Sequence, residues 1–319
     1  MSSLPPLTNP YKIIEFYFIR YFCAILLILG TFGNTLNICI FTRSKLRSVS
    51  CSWYFLAATC ENFIALYVGC LTRLLSTFDV NPRTTLSASI YCKFRSYFTY
   101  GNLSPSMWLI IGACMDRWAS SSSNVRIRSI GKIKIAKRII LSIICIMHLI
   151  YGPMLYCYDG VYELPSSNCV TISTTWQLFI SSGFFLTYSF LPCCLMFIFG
   201  LLTIHNVRTS RGRIAQTHNI QNNRKTSVQM TVMLLVQVIC SIIISLPISL
   251  QSTYNVLTRN YYKSEQQQQL ERFLNILFIT TTFMNSAISF YIFTLTGKTF
   301  RGELKKFLCC KVTINPIVS

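Results

Sequence analysis

Residues 92–118 read CKFRSYFTYGNLSPSMWLIIGACMDRW. The stretch opens on a cysteine, continues without an acidic residue, and closes on an adjacent acid and base, Asp116-Arg117. As a helix rising 1.5 Å per residue, the 25 steps from Cys92 to Arg117 cover ~37 Å, one tilted crossing of a bilayer. Charges at membrane depth are costly, so a charged pair at the end of such a run either sits in the interface or serves a function.

Six further runs, at 17–41, 53–75, 135–157, 176–204, 228–253 and 273–296, also reach spanning length. The 319 residues are 52% hydrophobic and only 12% charged, which excludes disorder and leaves little chain for a large soluble domain. The predicted fold class is an all-α membrane protein: a seven-transmembrane helix bundle over 17–296, an extracellular N-terminus over 1–16, and a cytoplasmic tail over 297–319. The first run follows a short Pro-containing polar stretch instead of a basic start with a cleavage site, so the first helix is read as the insertion signal. The sequence shows no internal repeat of the kind that marks many transporters, and the Gln266 to Gln269 tract reads as a solvated outer loop.

A formal charge of +20 would suggest nucleic acid in a soluble chain, but here it sorts by loop. One alternating set holds Arg43, Lys45, Arg47, Arg126, Arg128, Lys132, Lys134, Lys137, Arg138, Arg208, Arg211, Arg213, Arg224 and Lys225. The tail adds Lys298, Arg301, Lys305, Lys306 and Lys311, with Glu303 as the one acid. Lys and Arg beside spans are retained in the cytoplasm, so this side is inside, facing anionic lipids, and no nucleic-acid partner is expected.

Fifteen cysteines are too scattered for a small disulfide scaffold, and several pack inside apolar runs as small hydrophobes. Without CxxC…CxxC, HExxH or paired His, neither a metal site nor a cofactor is expected; His148, His205 and His218 form no ligand spacing. Three intramembrane charges stand out, Glu61 in the second span and the Asp116-Arg117 pair. An unpaired Glu61 should protonate or find a cation. Cys92 and Cys169 share the outer, oxidising side; a bridge would tie the loop before span five over the bundle mouth, and two unrelated thiols is the alternative.

Together these residues resemble the rhodopsin-type (class A) G-protein-coupled receptors, over essentially all seven spans. Asp116-Arg117-Trp118 is similar to the Asp-Arg-Tyr motif, Gly33-Asn34 to the Gly-Asn pair of the first helix, and Cys92 with Cys169 to the outer disulfide. Pro192 and Pro247 stand where that family bends helices five and six. Asn285-Ser286 and Ser289 to Phe293 align with the seventh-helix pattern ending in Asn-Pro-x-x-Tyr, and Phe300-Arg301 resembles the start of the eighth helix.

The departures are substantial. Ser289, Phe290 and Phe293 replace the Asn, Pro and Tyr of helix seven, and Ser245 replaces the switch Trp of helix six. Glu61 replaces an Asp, Gly200 a Tyr of helix five, and the fourth helix has no Trp, its equivalent region being Ile143 to Cys145.

The resemblance implies that Asp116 holds Arg117 at rest and that outward movement of helix six releases it to a heterotrimeric G protein. It implies a mid-bundle polar site of Glu61, Ser106, Asn285, Ser286 and Ser289, where the family binds an allosteric sodium ion and where a protonated Glu61 carboxyl is the alternative. The ligand pocket is expected around Thr99, Tyr100 and Leu103. Thr99 in place of an Asp disfavours biogenic amines, and Phe283 in place of a Lys disfavours retinal. A peptide or a small neutral or lipid ligand remains, and Asn285 to Phe290 is similar to helix seven of invertebrate peptide receptors, including the FMRFamide type. The outer acids Asp79, Asp159, Glu163, Glu265 and Glu271 would either attract a basic peptide or act as solvated loop residues.

After helix seven, Phe300, Leu304, Phe307 and Leu308 recur at helical spacing against Lys298, Arg301, Lys305 and Lys306, which predicts an amphipathic eighth helix on the inner leaflet. Cys309 and Cys310 would then be palmitoylated or remain free thiols. Asn102-Leu103-Ser104 lies inside helix three, so glycosylation is not predicted. The competing classes are a receptor-like protein that does not couple, a channel or transporter with several deep charges, and a membrane enzyme with clustered His or carboxylates.

Overall fold

The computed structural model describes residues 10–78, 80, 85–122, 124–163, 166–211, 218–258 and 260–308. Seven long helices form the bundle. α1 is Pro10–Phe41 and α2 is Ser50–Leu66, continued by a π-helical turn at Tyr67–Leu71 and by Thr72–Ser76. α3 is Thr85–Ser121 and α4 is Ile133–Tyr151. α5 runs Thr174–Phe184, a π-helical Phe185–Phe190 and Leu191–Arg211, and α6 is His218–Leu257. α7 is Glu265–Thr281 followed by Met284–Thr296, and α8 is Lys298–Leu308. One antiparallel hairpin, β1 (Tyr158–Glu163) and β2 (Ser166–Thr171), links α4 to α5. The first helix begins at Pro10, ahead of the apolar run at 17–41.

Among the described residues six helices are long and apolar enough to cross a membrane, and α3 is not one of them. The reason is position. α3 packs against α2, α4, α5, α6 and the hairpin, so its flanks meet protein where the other helices meet lipid. Its centre can therefore carry Asn102, Ser104 and Ser106, all buried. Outer helices show the converse: Ile28 of α1, Leu149 of α4 and Ile243 of α6 are largely exposed on the bundle surface, as apolar side chains facing hydrocarbon should be.

Close contact between α1 and α7 depends on small residues. A Cβ at Gly33 would lie 3.0 Å from the Phe290 Cβ, and the neighbouring Asn34 donates from Nδ2 to the Ser286 carbonyl at 2.9 Å. Small residues that let backbones approach are the usual solution where water supplies no driving force between helices.

Helix α7 breaks without a proline. Thr280, Thr281 and Thr282 each turn their hydroxyl back onto a carbonyl of the preceding turn, at 2.6–2.8 Å. The amides of Asn285 and Ser286 then bond to Thr282 and Phe283, three residues back. Back-bonding Thr side chains bend helices, so this triplet supplies the interruption that Phe290 cannot. In α5 the π-helical turn ends two residues before Pro192, whose missing N–H removes a bond from the ladder; Pro247 lies inside α6.

α8 is docked, not free. Phe300 packs on Phe41, Phe290 and Phe293, and the buried Glu303 pairs with Arg43 at 3.5 Å and Lys306 at 3.3 Å. Cys309 and Cys310 lie outside the described residues.

Candidate functional site

At one end of the bundle the Cys92–Cys169 disulfide joins α3 to β2. Gly160 faces Cys169 across the hairpin and rests on α3 so closely that a Cβ would collide with the Ala88 backbone. Next to it, the Asp159 carboxylate accepts from the Gly160 amide at 2.8 Å and from the Ser89 hydroxyl, and the hydroxyl foremost among them holds the carboxyl below its ordinary range. Covalent, steric and polar contacts thus pin the hairpin to α3.

Below this lid, Tyr100 stacks with Tyr151 at 6.5 Å and meets Phe184 edge-on at 4.9 Å. Thr99 and Leu103 are buried, and the Thr99 hydroxyl has no partner. The Tyr151 hydroxyl bonds Ser104 at 2.6 Å and Thr187 at 2.5 Å, while Trp108 donates to the Thr187 carbonyl at 2.7 Å. This layer ties α3, α4 and α5 beneath the predicted ligand residues.

Two cations belong to the same region and were not singled out by their sequence context. Arg73 lies near the end of the second apolar run and Arg95 near the start of the third. In the fold Arg73 donates to the Gly69 carbonyl at 2.9 Å and covers the Phe283 ring at 5.0 Å. Arg95 lies over Tyr91 at 5.7 Å, within electrostatic reach of Arg73, and Tyr100 is nearby. Among the described residues neither has a carboxylate partner.

The outer acids are accounted for differently. Glu271 pairs with Lys263 at 2.6 Å and accepts from the Tyr254 hydroxyl at 2.9 Å, at the rim of a cavity of about 380 Å³ between α5, α6 and α7. Asp159 is held by the hairpin, and Glu265 accepts from Gln269 at 3.4 Å. Asp79 and the Glu163 side chain lie outside the described residues. A free acidic rim that draws in a basic peptide is therefore not what Asp159 and Glu271 provide.

At mid-bundle, Glu61, Ser106, Asn285, Ser286 and Ser289 are all buried. Their one direct hydrogen bond runs from the Ser289 hydroxyl to the Asn285 carbonyl at 3.4 Å; Ser106 donates to the Leu103 carbonyl. The Asn285 amide reaches toward α5 and α6, donating to the Tyr188 hydroxyl at 3.2 Å and the Ser245 hydroxyl at 3.3 Å. Tyr188 is completely buried, stacks on Phe184 at 4.7 Å, and also reaches Thr282. It forms a hub among α5, α6 and α7 at the level where Ser245 leaves space. Oxygens of Glu61, Asn285 and Ser286 remain buried without a protein partner.

At the opposite end, Arg117 pairs with Asp116 at 2.7 Å, and both side chains are almost inaccessible. The Ser50 hydroxyl donates to the same Asp116 oxygen at 2.8 Å. Breaking a buried pair by removing one partner costs about 3–5 kcal/mol, because the other charge stays behind. Trp118 packs on Phe199 at 5.7 Å, and Asn206 of α5 donates to the Trp118 carbonyl and to Ser121. α6 is joined to α8 about three turns into the helix, where Gln229 Oε1 accepts from the Thr299 amide at 2.8 Å and from its hydroxyl. Phe293, without a hydroxyl, is enclosed by Phe41, Phe55 and Phe300 at 4.8–5.9 Å.

A disulfide-capped seven-helix bundle, polar at mid-depth and closed at its far end by a buried Asp-Arg pair, is the architecture of a multi-pass membrane receptor. The sequence matches the family described as 7 transmembrane receptor (rhodopsin family) over residues 33–289, and the chain belongs to that family, whose members are receptors and not enzymes. A comparison with curated proteins finds no match.

Proposed function

We propose that this chain is a plasma-membrane G-protein-coupled receptor that converts binding of an extracellular peptide into activation of a heterotrimeric G protein. In this reading residues 1–16 are extracellular, 17–296 form the receptor bundle and 297–319 form the amphipathic helix and cytoplasmic tail. The orientation follows from the basic residues gathered at the Arg117 end. The carrying observation is the buried Asp116–Arg117 pair.

The resting state holds two contacts that activation must undo. Asp116 and Ser50 occupy the guanidinium neighbourhood, and the Gln229–Thr299 contact keeps α6 against α8. Swinging α6 outward breaks the second and opens the floor, after which Arg117, charged throughout and rich in donors, can turn to the carbonyls of an inserted helix. Ligand binding biases this equilibrium only by contacting the two states differently. Tyr188 is placed to transmit the bias, since its hydroxyl contacts both Ser245 on α6 and Asn285 on α7.

The ligand reading is sharpened by Arg73 and Arg95. Two cations near Tyr100, with no carboxylate partner among the described residues, favour a peptide whose acidic side chain or terminal carboxylate reaches past the hairpin, with Thr99, Tyr100 and Leu103 lining its seat. At mid-bundle the orphaned oxygens of Glu61, Asn285 and Ser286 have the chemistry to hold a sodium ion, and Ser106 and Ser289 complete the set. α8 is assigned to the inner leaflet, with Cys309 and Cys310 as lipidation sites.

The test is G-protein activation in cells challenged with two peptide libraries matched except for acidic groups. The expected result is a response to the acidic library in the wild type, absent in Arg117→Ala at equal surface expression and at least tenfold right-shifted in Arg95→Gln. A response that survives Arg117→Ala would refute the coupling role, and one confined to the neutral library would refute the ligand class.

A further inference from the structure

A cavity of about 890 Å³ opens at the Arg117 end between the α1–α2 turn, the starts of α2 and α4, and the end of α3. Lys45 lines one side, Lys132, Lys134 and Arg138 the other, and Arg117 the inner wall. Apart from Arg117, these cations are exposed, and among the described residues none of the four makes an ion pair. The carboxylates of this end are engaged elsewhere: Asp116 with Arg117 and Ser50, Glu303 with Arg43 and Lys306. Four like charges around one hollow repel each other unless an anion occupies it.

Backbone groups add to the same field. α4 starts at this cavity with no side-chain cap on Lys132, and Ile133 and Lys134 of its first turn belong to the lining. Amides in that position have no acceptor in their own helix and carry the positive end of its dipole. Gly131, at the same turn, packs close to α3, where a Cβ would meet the Ser120 hydroxyl.

Beside the cavity Lys137 lies 3.9 Å from the Trp53 ring centroid, and Trp53 donates to the Arg47 carbonyl at 3.1 Å. A Trp with a stacked Lys is what the headgroup level of a bilayer selects. One turn further along α4, Leu141 is 64% exposed, a surface suited to an acyl chain.

We propose that this cavity binds the multiply phosphorylated headgroup of a phosphoinositide, with its acyl chains lying along α4. The headgroup would bridge Lys45 on the α1–α2 turn to Lys132, Lys134 and Arg138, supplying the counter-charge the protein lacks there. The lipid source rests on the proposed orientation, which puts this end in the cytoplasmic leaflet; the phosphate chemistry does not.

The experiment measures binding to the purified full-length chain in detergent, where neither orientation nor coupling matters. The probes are dioctanoyl phosphatidylinositol bisphosphate, dioctanoyl phosphatidylserine and soluble inositol trisphosphate. The bisphosphate lipid should bind at least tenfold more tightly than either of the others. Lys132→Gln with Lys134→Gln should weaken it about twenty-five-fold, two cations at roughly fivefold each. Lys45→Gln, on a separate element, should weaken it about fivefold, which keeps the test independent of any local unfolding of α4. Arg126→Gln with Arg128→Gln removes the same charge outside the cavity and should leave affinity unchanged. Equal loss in that control, or no preference over phosphatidylserine, would overturn the site; equal affinity for inositol trisphosphate would overturn the lipid as its source.

Discussion

Helix α3 and the α6–α7 pair lie in the same bundle and keep its architecture by different means. α3 keeps the residues of its family motif, Cys92 at one end and Asp116-Arg117 at the other, and they make the contacts their chemistry suggests. α6 and α7 have lost the Trp, Pro and Tyr of theirs, and other side chains do the corresponding jobs. Tyr188 and Asn285 fill and bond the level of Ser245, Thr280 to Thr282 break the helix in place of a proline, and Phe293 is enclosed by aromatic rings. A covalent bond or a buried charge has few substitutes, whereas a bend or a filled volume has many.

This contrast can be broken by mutation. The largest effect is expected in α3: Cys92→Ala frees the hairpin and should cost about 2–5 kcal/mol, read as a several-fold loss of surface expression and a lower unfolding temperature. Unchanged expression would show that Gly160 and Asp159 suffice to hold the lid. In α6–α7 the effect should be graded. Tyr188→Phe keeps the ring and removes the hydroxyl shared by Asn285 and Ser245, costing about 1–2 kcal/mol and shifting basal signalling with little change in folding. If Tyr188→Phe instead matches the wild type in basal signalling, the hub is packing alone.

The smallest effect concerns pH. The pKa of Asp159 is lowered in the fold, so its contribution is present above the ordinary carboxylate value and is lost as pH falls through the lowered one. Hydrogen exchange in β1 should therefore be unaffected near neutrality and accelerate only below about pH 4. Acceleration already near pH 6 would point to another group.

Much of this was legible in the sequence, for identifiable reasons. Seven apolar runs and the one-sided Lys and Arg depend only on the bilayer, and the spacing from Cys92 to Arg117 depends only on helix rise. Composition alone hides α3, because the centre of a bundle tolerates Asn102 and Ser104. The Thr280 to Thr282 break was not anticipated, since three threonines in an apolar run read equally well as a straight strand of helix. Arg73 and Arg95 were missed because each stands near a span end, where a cation normally reaches water; only the fold brings them together beside Tyr100. The role of Tyr188 was hidden by the same logic, since nothing local tells a buried hub from a lipid-facing aromatic such as Phe190, half of which is exposed.

The central claim is that the Asp116–Arg117 pair is the switch, and ligand-independent G-protein activation at matched surface expression tests it most directly. Asp116→Asn should raise basal activation several-fold by releasing the guanidinium, while Arg117→Ala and the double variant should both fall to background. Basal activation equal to the wild type in all three would contradict the account.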